Sequence, residues 1–495
     1  MKHIINIILK IIIFIFFFLI FYSYTSKLFM HKENWRGDLS AIKSFYKHKK
    51  KTLDVVFLGS SHVYAGISNW QLWNEHGIAS YNFSNSSQSL QMTYFMLEEV
   101  IRTQKPELIV IDLFGLVLPS NESSEGLNHA NLDYIPLSRV KNKAINFFIK
   151  KKKSEFFCPL IKYHSRWMSL KKKDFLPLEH RGLGSDLLFE TRKNTSFEII
   201  DNNISEININ PEHLLVLKKM INLCQNKKIN LLFTILPYHA PSKPNDIKIT
   251  HVEQQKIFNS INKFLLEKGI RYLNFFHLLE DISFNWERDM NDTSHLNIEG
   301  ARKITSFLGK YIKTNYNIPD KRNDSYYINW WKKYELYKHD ILKKKLKTTN
   351  NISNYIDILS KNLSNYLIII SGKDTIIQEN INSNNNFLEL IKKINLCKDF
   401  TVDFRESYIA VINQGDIYIE KKSKDTLKYD FKIDNKTISI ISSNWGKENI
   451  ASIKIEGIEE RINKRGLGIV IYDKILKETI DNVVFDIYDN AKCYR

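Results

Sequence analysis

The chain has 495 residues, enough at about 150 per domain for roughly three domains and for more than one buried core. With 17 Gly, 10 Pro, 43% hydrophobic and 13% aromatic residues, it is neither collagen-like nor disordered, and it is far beyond a mini-protein. The 72 Lys and Arg against 54 Asp and Glu leave a net charge of +18, which suits anionic partners, although a general richness in Lys, Ile and Asn produces the same excess without a dedicated site.

Ile4 to Tyr24 is almost wholly apolar, about 21 residues, enough at 1.5 Å per residue to cross roughly 30 Å of hydrocarbon. A membrane helix is predicted there. Its one charge, Lys10, has a stem long enough to carry the ammonium toward the near interface. A cleaved signal peptide would have a shorter apolar region ending in small residues, and Tyr22-Ser23-Tyr24-Thr25-Ser26-Lys27 offers no A-x-A pattern. Basic flanks do not orient the helix, because Lys2 and Lys10 oppose Lys27, Lys32 and Arg36. Residues 26–51 are polar and basic and read as a stalk.

Asp54 to Leu58 (DVVFL), Leu108 to Leu113 (LIVIDL) and Asn230 to Leu236 (NLLFTIL) are short apolar runs. Between them lie helical periods: Leu90, Tyr94, Leu97 and Ile101, then Leu214, Leu217, Ile221 and Cys224 after Pro211. Continuous apolar strands separated by amphipathic helices predict a mostly parallel sheet covered on both faces, a three-layer α/β/α sandwich. Ligands of such sheets sit at the carboxyl ends of the strands, so the loop after DVVFL is the first place to seek chemistry. Residues 141–173 carry two lysine runs, Lys150 to Lys153 and Lys171 to Lys173, around Phe156, Phe157, Tyr163 and Trp167. They read as an insertion: an ordinary solvated loop, a lid, or a membrane-facing surface. Tyr326 to Lys347 has helical propensity and no Gly or Pro, and is predicted as an interdomain helix. Beyond about Asn351, alternating strands dominate, at Ser407 to Asn413, Asp416 to Glu420, Ile450 to Ile455 and Gly468 to Tyr472, and predict a β-rich second domain. Asn382 to Asn386 reads as a loop, and no internal repeat is found.

Two motifs carry chemistry. Gly59-Ser60-Ser61-His62 follows the first strand, where a sharp strand-to-helix turn presents a hydroxyl beside backbone amides, the geometry that acyl transfer requires. Asp292-Thr293-Ser294-His295-Leu296-Asn297 precedes an amphipathic helix beginning at Ile298. A hydroxyl needs an imidazole to accept its proton, and the imidazole needs a carboxylate to fix its tautomer; Asp and His three apart on one loop supply both. Alone, Asp292 or Asn297 would simply cap the helix and His295 would pack near its start. His62 reads as a second proton-transfer or substrate-binding group, or as a side chain that fills the turn. Cys158, Cys224, Cys397 and Cys493 share no CxxC or Cys/His ligand spacing, so no zinc site or disulfide scaffold is expected.

On these residues, 52–315 resembles the SGNH hydrolase superfamily, also called GDSL-like, in which a nucleophilic serine follows the first strand and an Asp-x-x-His pair precedes the last helix. The resemblance makes Ser61 the nucleophile, His295 the general base and Asp292 its carboxylate. It is closest to membrane-anchored members that act on, or assist, O-acylation of extracellular polysaccharides. It therefore implies an esterase or O-acyltransferase for acyl, foremost acetyl, esters of cell-surface polysaccharide, with the bulk of the chain outside the cytoplasmic membrane. The implied partners are the membrane, the polysaccharide and a membrane-bound O-acyltransferase; no cofactor, metal or nucleic acid is expected. Two departures stand out. The family's second block contributes a glycine amide to the oxyanion hole, and here Tyr81-Asn82-Phe83-Ser84-Asn85-Ser86-Ser87-Gln88 has Ser84 in that place. The third block's asparagine is absent from Phe114-Gly115-Leu116. The backbone N–H groups of Ser61 and Ser84 would then carry the developing charge, helped by Asn85 or Gln88. The alternative is a catalytically inactive carbohydrate-binding or assembly subunit on the same scaffold.

Asn354 to Tyr488 resembles the interleukin-like EMT-inducer domain, a lectin-like β-rich module, at Tyr366-Leu367-Ile368-Ile369-Ile370-Ser371-Gly372-Lys373-Asp374, Ser407 to Ile412, Arg465 to Tyr472 and Val484 to Tyr488. The expected organisation is thus a transmembrane anchor at 1–25, a stalk at 26–51, the hydrolase-like domain at 52–315, a helical linker at 316–350 and the β-rich domain at 351–495. Trp445 is a candidate for stacking on a sugar, although a core position is the commoner one for tryptophan.

Overall fold

The computed structural model describes residues 2–495 apart from 32, 35, 36, 39, 120–123, 176–179, 197, 198, 200–206, 240–249, 378–380 and 398–401. The chain divides into two compact units, Met1–Trp330 and Trp331–Arg495.

In the first unit, helix α1 (Lys2–Phe29) is long and apolar enough to cross a membrane, with a mean hydropathy of 3.0 over its most apolar window, and it leaves Ile4 to Phe21 exposed. A short antiparallel pair, β1 (Glu33–Asn34) and β2 (Gly37–Asp38), leads to α2 (Ser40–Phe45). The stretch read as a stalk is therefore a folded part of this unit. Its polar composition hides Ile42 and Phe45, one helical turn apart and buried, with the Phe45 ring stacked on Phe83 at 4.2 Å.

The centre of the unit is a five-stranded, wholly parallel sheet. Its strands are β3 (Val55–Leu58), β4 (Ser80–Asn82), β5 (Leu108–Asp112), β6 (Asn230–Ile235) and β7 (Arg271–Asn274), in the order β4-β3-β5-β6-β7. Val55 pairs with Ser80 on one side and Leu108 on the other, so β3 lies where the strand order reverses. Alternate residues of each strand face opposite layers. Val55, Phe57, Leu108, Val110 and Leu232 pack on α3 (Ser61–Gly66), α4 (Asn69–His76) and α12 (Ile298–Asn315), through Val63, Ile67, Leu72, Ile304 and Leu308. The opposite face takes α5 (Leu90–Thr103) and α10 (Pro211–Asn226). These helices start where their sequences direct: Ser89 caps α5, Asn210 caps α10 ahead of Pro211, and Thr250 with Glu253 forms a capping box on α11 (His251–Glu267).

The segment after β5 is largely helical. It comprises α6 (Glu125–Leu132), α7 (Arg139–Phe148), α8 (Ser154–Phe157) and α9 (Pro159–Tyr163). An unstructured loop is thereby corrected for 141–173: Ala144, Ile145 and Phe148 recur at helical spacing and bury one face of α7, while Lys150 and Lys151 remain exposed.

The second unit contains most of α13 (Ile328–Thr348), then α14 (Ile352–Ser360), α15 (Ile381–Lys392) and a mixed ten-stranded sheet. The strands are β8 (Tyr366–Asp374), β9 (Ser407–Asn413), β10 (Asp416–Ser423), β11 (Leu427–Ile433), β12 (Lys436–Asn444), β13 (Ala451–Ile455), β14 (Ile458–Glu459), β15 (Gly466–Asp473), β16 (Glu478–Asp486) and β17 (Lys492–Tyr494). Strand β8 is central, antiparallel to β9 and β15 and parallel to β12. Ile368 and Ile370 face one core, with Tyr355 and Ile391, and Leu367 and Ile369 face another, with Ile438 and Ile453. Two expectations are corrected here. The asparagine run 382–386 lies within α15, because Phe387, Leu388 and Ile391 give that segment a buried face one helical repeat later. Trp445 is 59% exposed in the turn after β12, with the Arg405 guanidinium 4.6 Å from its ring.

Candidate active site

The buried run Val55–Leu58 ends at Gly59, whose φ of +148° suits glycine; a Cβ there would lie 2.8 Å from Val63 Cγ2 and 3.0 Å from Asp112 Cβ. That turn starts α3 at once. Ser60 caps the helix, its Oγ accepting the His62 N–H at 3.3 Å, and Ser61 becomes the first helical residue at the carboxyl end of β3.

The second half of the site is a single loop. Met290 and Leu296 form an isolated β-bridge that closes it, and Asn297 caps α12 by accepting the Glu299 and Gly300 N–H groups at 3.0 and 3.1 Å. Asn297 thus does the capping, and Asp292 is left for His295. Asp292 Oδ1 accepts the backbone N–H of Ser294 at 2.7 Å and of His295 at 2.8 Å, while His295 Nδ1 lies 3.1 and 3.0 Å from the two carboxylate oxygens. His295 Nε2 lies 2.9 Å from Ser61 Oγ. Ser61, His295 and Asp292 therefore form a continuous relay. Burial acts to raise the Asp292 carboxyl, but the hydrogen bond and charge of His295 and the two backbone N–H groups outweigh it and hold the carboxyl well below the usual range. An ionised Asp292 accepts Nδ1–H from His295, leaving the Nε2 lone pair for the Ser61 proton.

His62 is fully enclosed beside this relay. Its ring centroid lies 4.0 Å from Phe114, 5.1 Å from Tyr238 and 5.7 Å from His295, and its Nε2 is 3.4 Å from Ser294 Oγ. Burial, reinforced by the neighbouring His295, lowers its pKa well below the ordinary histidine value, so it is neutral where the relay operates.

Ser84 follows β4 and is buried, and its Oγ has no hydrogen-bond partner. The next amide, Asn85 N–H, reaches Gly59 O at 3.4 Å, which sets this block against the turn that bears Ser61. The side chains of Asn85 and Gln88 are engaged elsewhere: Asn85 Nδ2 donates to Ala130 O at 2.8 Å, and Gln88 Nε2 donates to Thr93 Oγ1 at 3.0 Å. Each of these bonds uses one of the two N–H groups of its amide.

Three further contributors were assigned no role from the sequence, Ser294 among them although it lies inside the Asp292–His295 motif. Ser294 and Tyr238 contact His62 from two different loops, and Asp112 closes β5 by accepting the Phe114 and Leu236 N–H groups, both at 3.1 Å. The available signal was an aspartate ending a buried strand. Burial pushes the Asp112 carboxyl up to about 7 against the pull of these two amides. Among the described residues, Glu125, His129 and Glu155 gather in a cluster of potential metal ligands. Lys162 bridges both of those carboxylates and Lys152 lies 3.8 Å from Glu155, so two lysines face the two negative charges.

Fold and site together define a parallel α/β domain with a Ser–His–Asp relay at the switch point of its sheet. No family model matches the chain, and no curated protein does. Solved structures similar to it include a GDSL-like lipase from Bacteroides thetaiotaomicron, 12% identical, with 56% of this chain and 98% of that chain covered at a TM-score of 0.28. Another is an acetyl xylan esterase, 12% identical, with 52% and 98% covered at a TM-score of 0.27.

Proposed function

We propose that the protein is a membrane-anchored serine esterase or O-acyltransferase acting on acyl esters, foremost acetyl, of cell-surface polysaccharide. The observation that carries the catalytic part is the unbroken sequence of contacts from Ser61 Oγ through His295 to the doubly anchored Asp292. Ser61 Oγ attacks the ester carbonyl as its proton passes to His295 Nε2, and Asp292 stabilises the imidazolium. The tetrahedral oxyanion is met by the backbone N–H groups of Ser61 and Ser84 and by the unpartnered Ser84 hydroxyl. His295 then protonates the departing sugar oxygen, leaving an acyl-Ser61 ester. Water activated by His295 completes hydrolysis, and a second sugar hydroxyl in its place completes transfer.

The polysaccharide, the membrane and the extracytoplasmic location come from the apolar α1 and from the sequence resemblance. A lectin-like role for the second unit is supported by the exposed Trp445 and its Arg405 neighbour, a stacking face beside a cation. An inactive assembly subunit is the second reading, favoured by the aromatic Phe114 where an amide side chain was expected. A fluorophosphonate probe separates the two. Covalent labelling of the full chain that disappears in Ser61→Ala supports the enzyme, and equal labelling of both proteins defeats it. Release of acetate from acetylated polysaccharide, with and without an acceptor glycan, then divides hydrolysis from transfer.

A further inference from the structure

We infer that the segment 157–168 lies in the head-group layer of the bilayer, flanking α1, and forms a second, surface-bound contact with lipid. This rests on the reading of α1 as a membrane span.

The segment is fastened to α1 at two levels. Arg166 donates to the last carbonyl of the helix, Phe29 O at 2.6 Å, and to the next, Met30 O at 3.0 Å, and the Tyr22 hydroxyl donates to Cys158 Sγ at 3.1 Å. Tyr22 precedes Phe29 by seven positions, or about 10 Å along a helix. A hydrocarbon layer of about 30 Å that starts near Ile4 takes up about 20 residues and ends close to Tyr22. Cys158 is therefore level with the edge of the hydrocarbon, and Arg166 lies above it.

What this segment shows to its surroundings fits that level. Phe157, Ile161, Trp167 and Met168 are 38%, 48%, 65% and 71% exposed, four large apolar groups within twelve residues. The basic Lys150 to Lys153 run precedes them. Aromatic and aliphatic side chains interleaved with lysines, beside a membrane helix, match the apolar and anionic strata of the interface.

The test uses the full chain in phosphatidylcholine vesicles whose lipids carry bromine near the head group, a short-range quencher of tryptophan fluorescence. Helix α1 contains no tryptophan, but Trp35 follows its end by six residues and can be quenched through anchoring alone, so the readout is the difference between wild type and Trp167→Phe. Trp167 is one of 8 tryptophans and should supply roughly an eighth of the emission. The expected result is that bromolipid removes this component from the wild type, and that the extra quenching is absent in Trp167→Phe but retained in Trp445→Phe. Met168→Glu should weaken it. Flotation after a high-salt wash is measured in parallel. A chain that floats with its vesicles but shows equal quenching in wild type and Trp167→Phe overturns this inference and leaves the anchor standing. A chain that does not float overturns the anchor, and this inference with it.

Discussion

Asp292→Asn is the substitution that most directly probes the relay. The carboxylate accepts five contacts: two backbone N–H groups at 2.7 and 2.8 Å, the His295 Nδ1 at 3.1 and 3.0 Å, and the Asn291 Nδ2 at 3.3 Å. An asparagine can keep its Oδ1 on the backbone amides, so the loop should hold its shape. Its other terminus is then an N–H donor facing Nδ1, which forces Nδ1 to become the acceptor and moves the ring proton to Nε2. A protonated Nε2 cannot take the Ser61 proton. Loss of the orienting carboxylate in a serine relay lowers kcat by about 10⁴, equivalent to about 5.5 kcal/mol of transition-state stabilisation. The assay is hydrolysis of 4-nitrophenyl acetate by the full chain in detergent, with Ser61→Ala as the floor and thermal melting as the control for folding. The expected result is a kcat near the floor with a Tm within a few degrees of wild type. Activity within tenfold of wild type, while Ser61→Ala is dead, would refute the role given to Asp292.

Ser84→Ala removes a buried hydroxyl that has no other partner, and kcat should fall by about 10² with KM nearly unchanged; an unchanged kcat would leave the oxyanion to backbone amides alone. Gly59→Ala places a Cβ against Val63 and Asp112 at a φ of +148°, and should destabilise the unit by about 1–3 kcal/mol in urea unfolding and lower kcat by displacing Ser61. The raised Asp112 carboxyl, at about 7, keeps its proton in the folded state where the unfolded chain has already lost it. Its contribution to stability is complete below about pH 4 and is lost as pH rises through about 7, a fall of at most about 4 kcal/mol. Urea midpoints of wild type and Asp112→Asn across that range check it, because the variant should lack this part of the slope. Leu308→Ala opens a void in the core between α12 and the sheet and should cost about 2–5 kcal/mol.

The three inner strands were legible because each is a continuous apolar run, as a strand buried on both faces must be. The outer two were not. Ser80–Asn82 has three residues, two of them polar, and Arg271–Asn274 is only partly buried, so neither presents a period that distinguishes it from a loop. The asparagine run 382–386 failed for the opposite reason: its composition signals a turn, while the apolar face that makes it helical begins only at Phe387. In the site, Ser61, Asp292 and His295 could be found because each stands in a short local motif. Tyr238 and Asp112 could not, since each meets the site through the order of the strands, and Ser294, though inside the Asp292–His295 motif, meets His62 only because the fold brings the two motifs together. The partners that the side chains of Asn85 and Gln88 hold, Ala130 O and Thr93 Oγ1, come from helices whose packing no local pattern encodes.

The relay is made from two separately built halves, and the halves differ in how firmly they are held. His295 and Asp292 share one loop, closed by the Met290–Leu296 bridge, pinned by two amides and continued into α12 through Asn297, so the base is oriented before any substrate arrives. Ser61 comes from the far side of the sequence, and its position depends on the turn at Gly59 and on Asp112 tying the ends of β5 and β6 beneath it. A disturbance of the sheet end should therefore lengthen the contact between Ser61 and His295 while leaving the contact between His295 and Asp292 intact. That predicts an order of sensitivity among variants distant from the reacting atoms. Those at Gly59 and Asp112 should lower kcat for the acylation step, whereas those on the outer face of α12 should change stability alone.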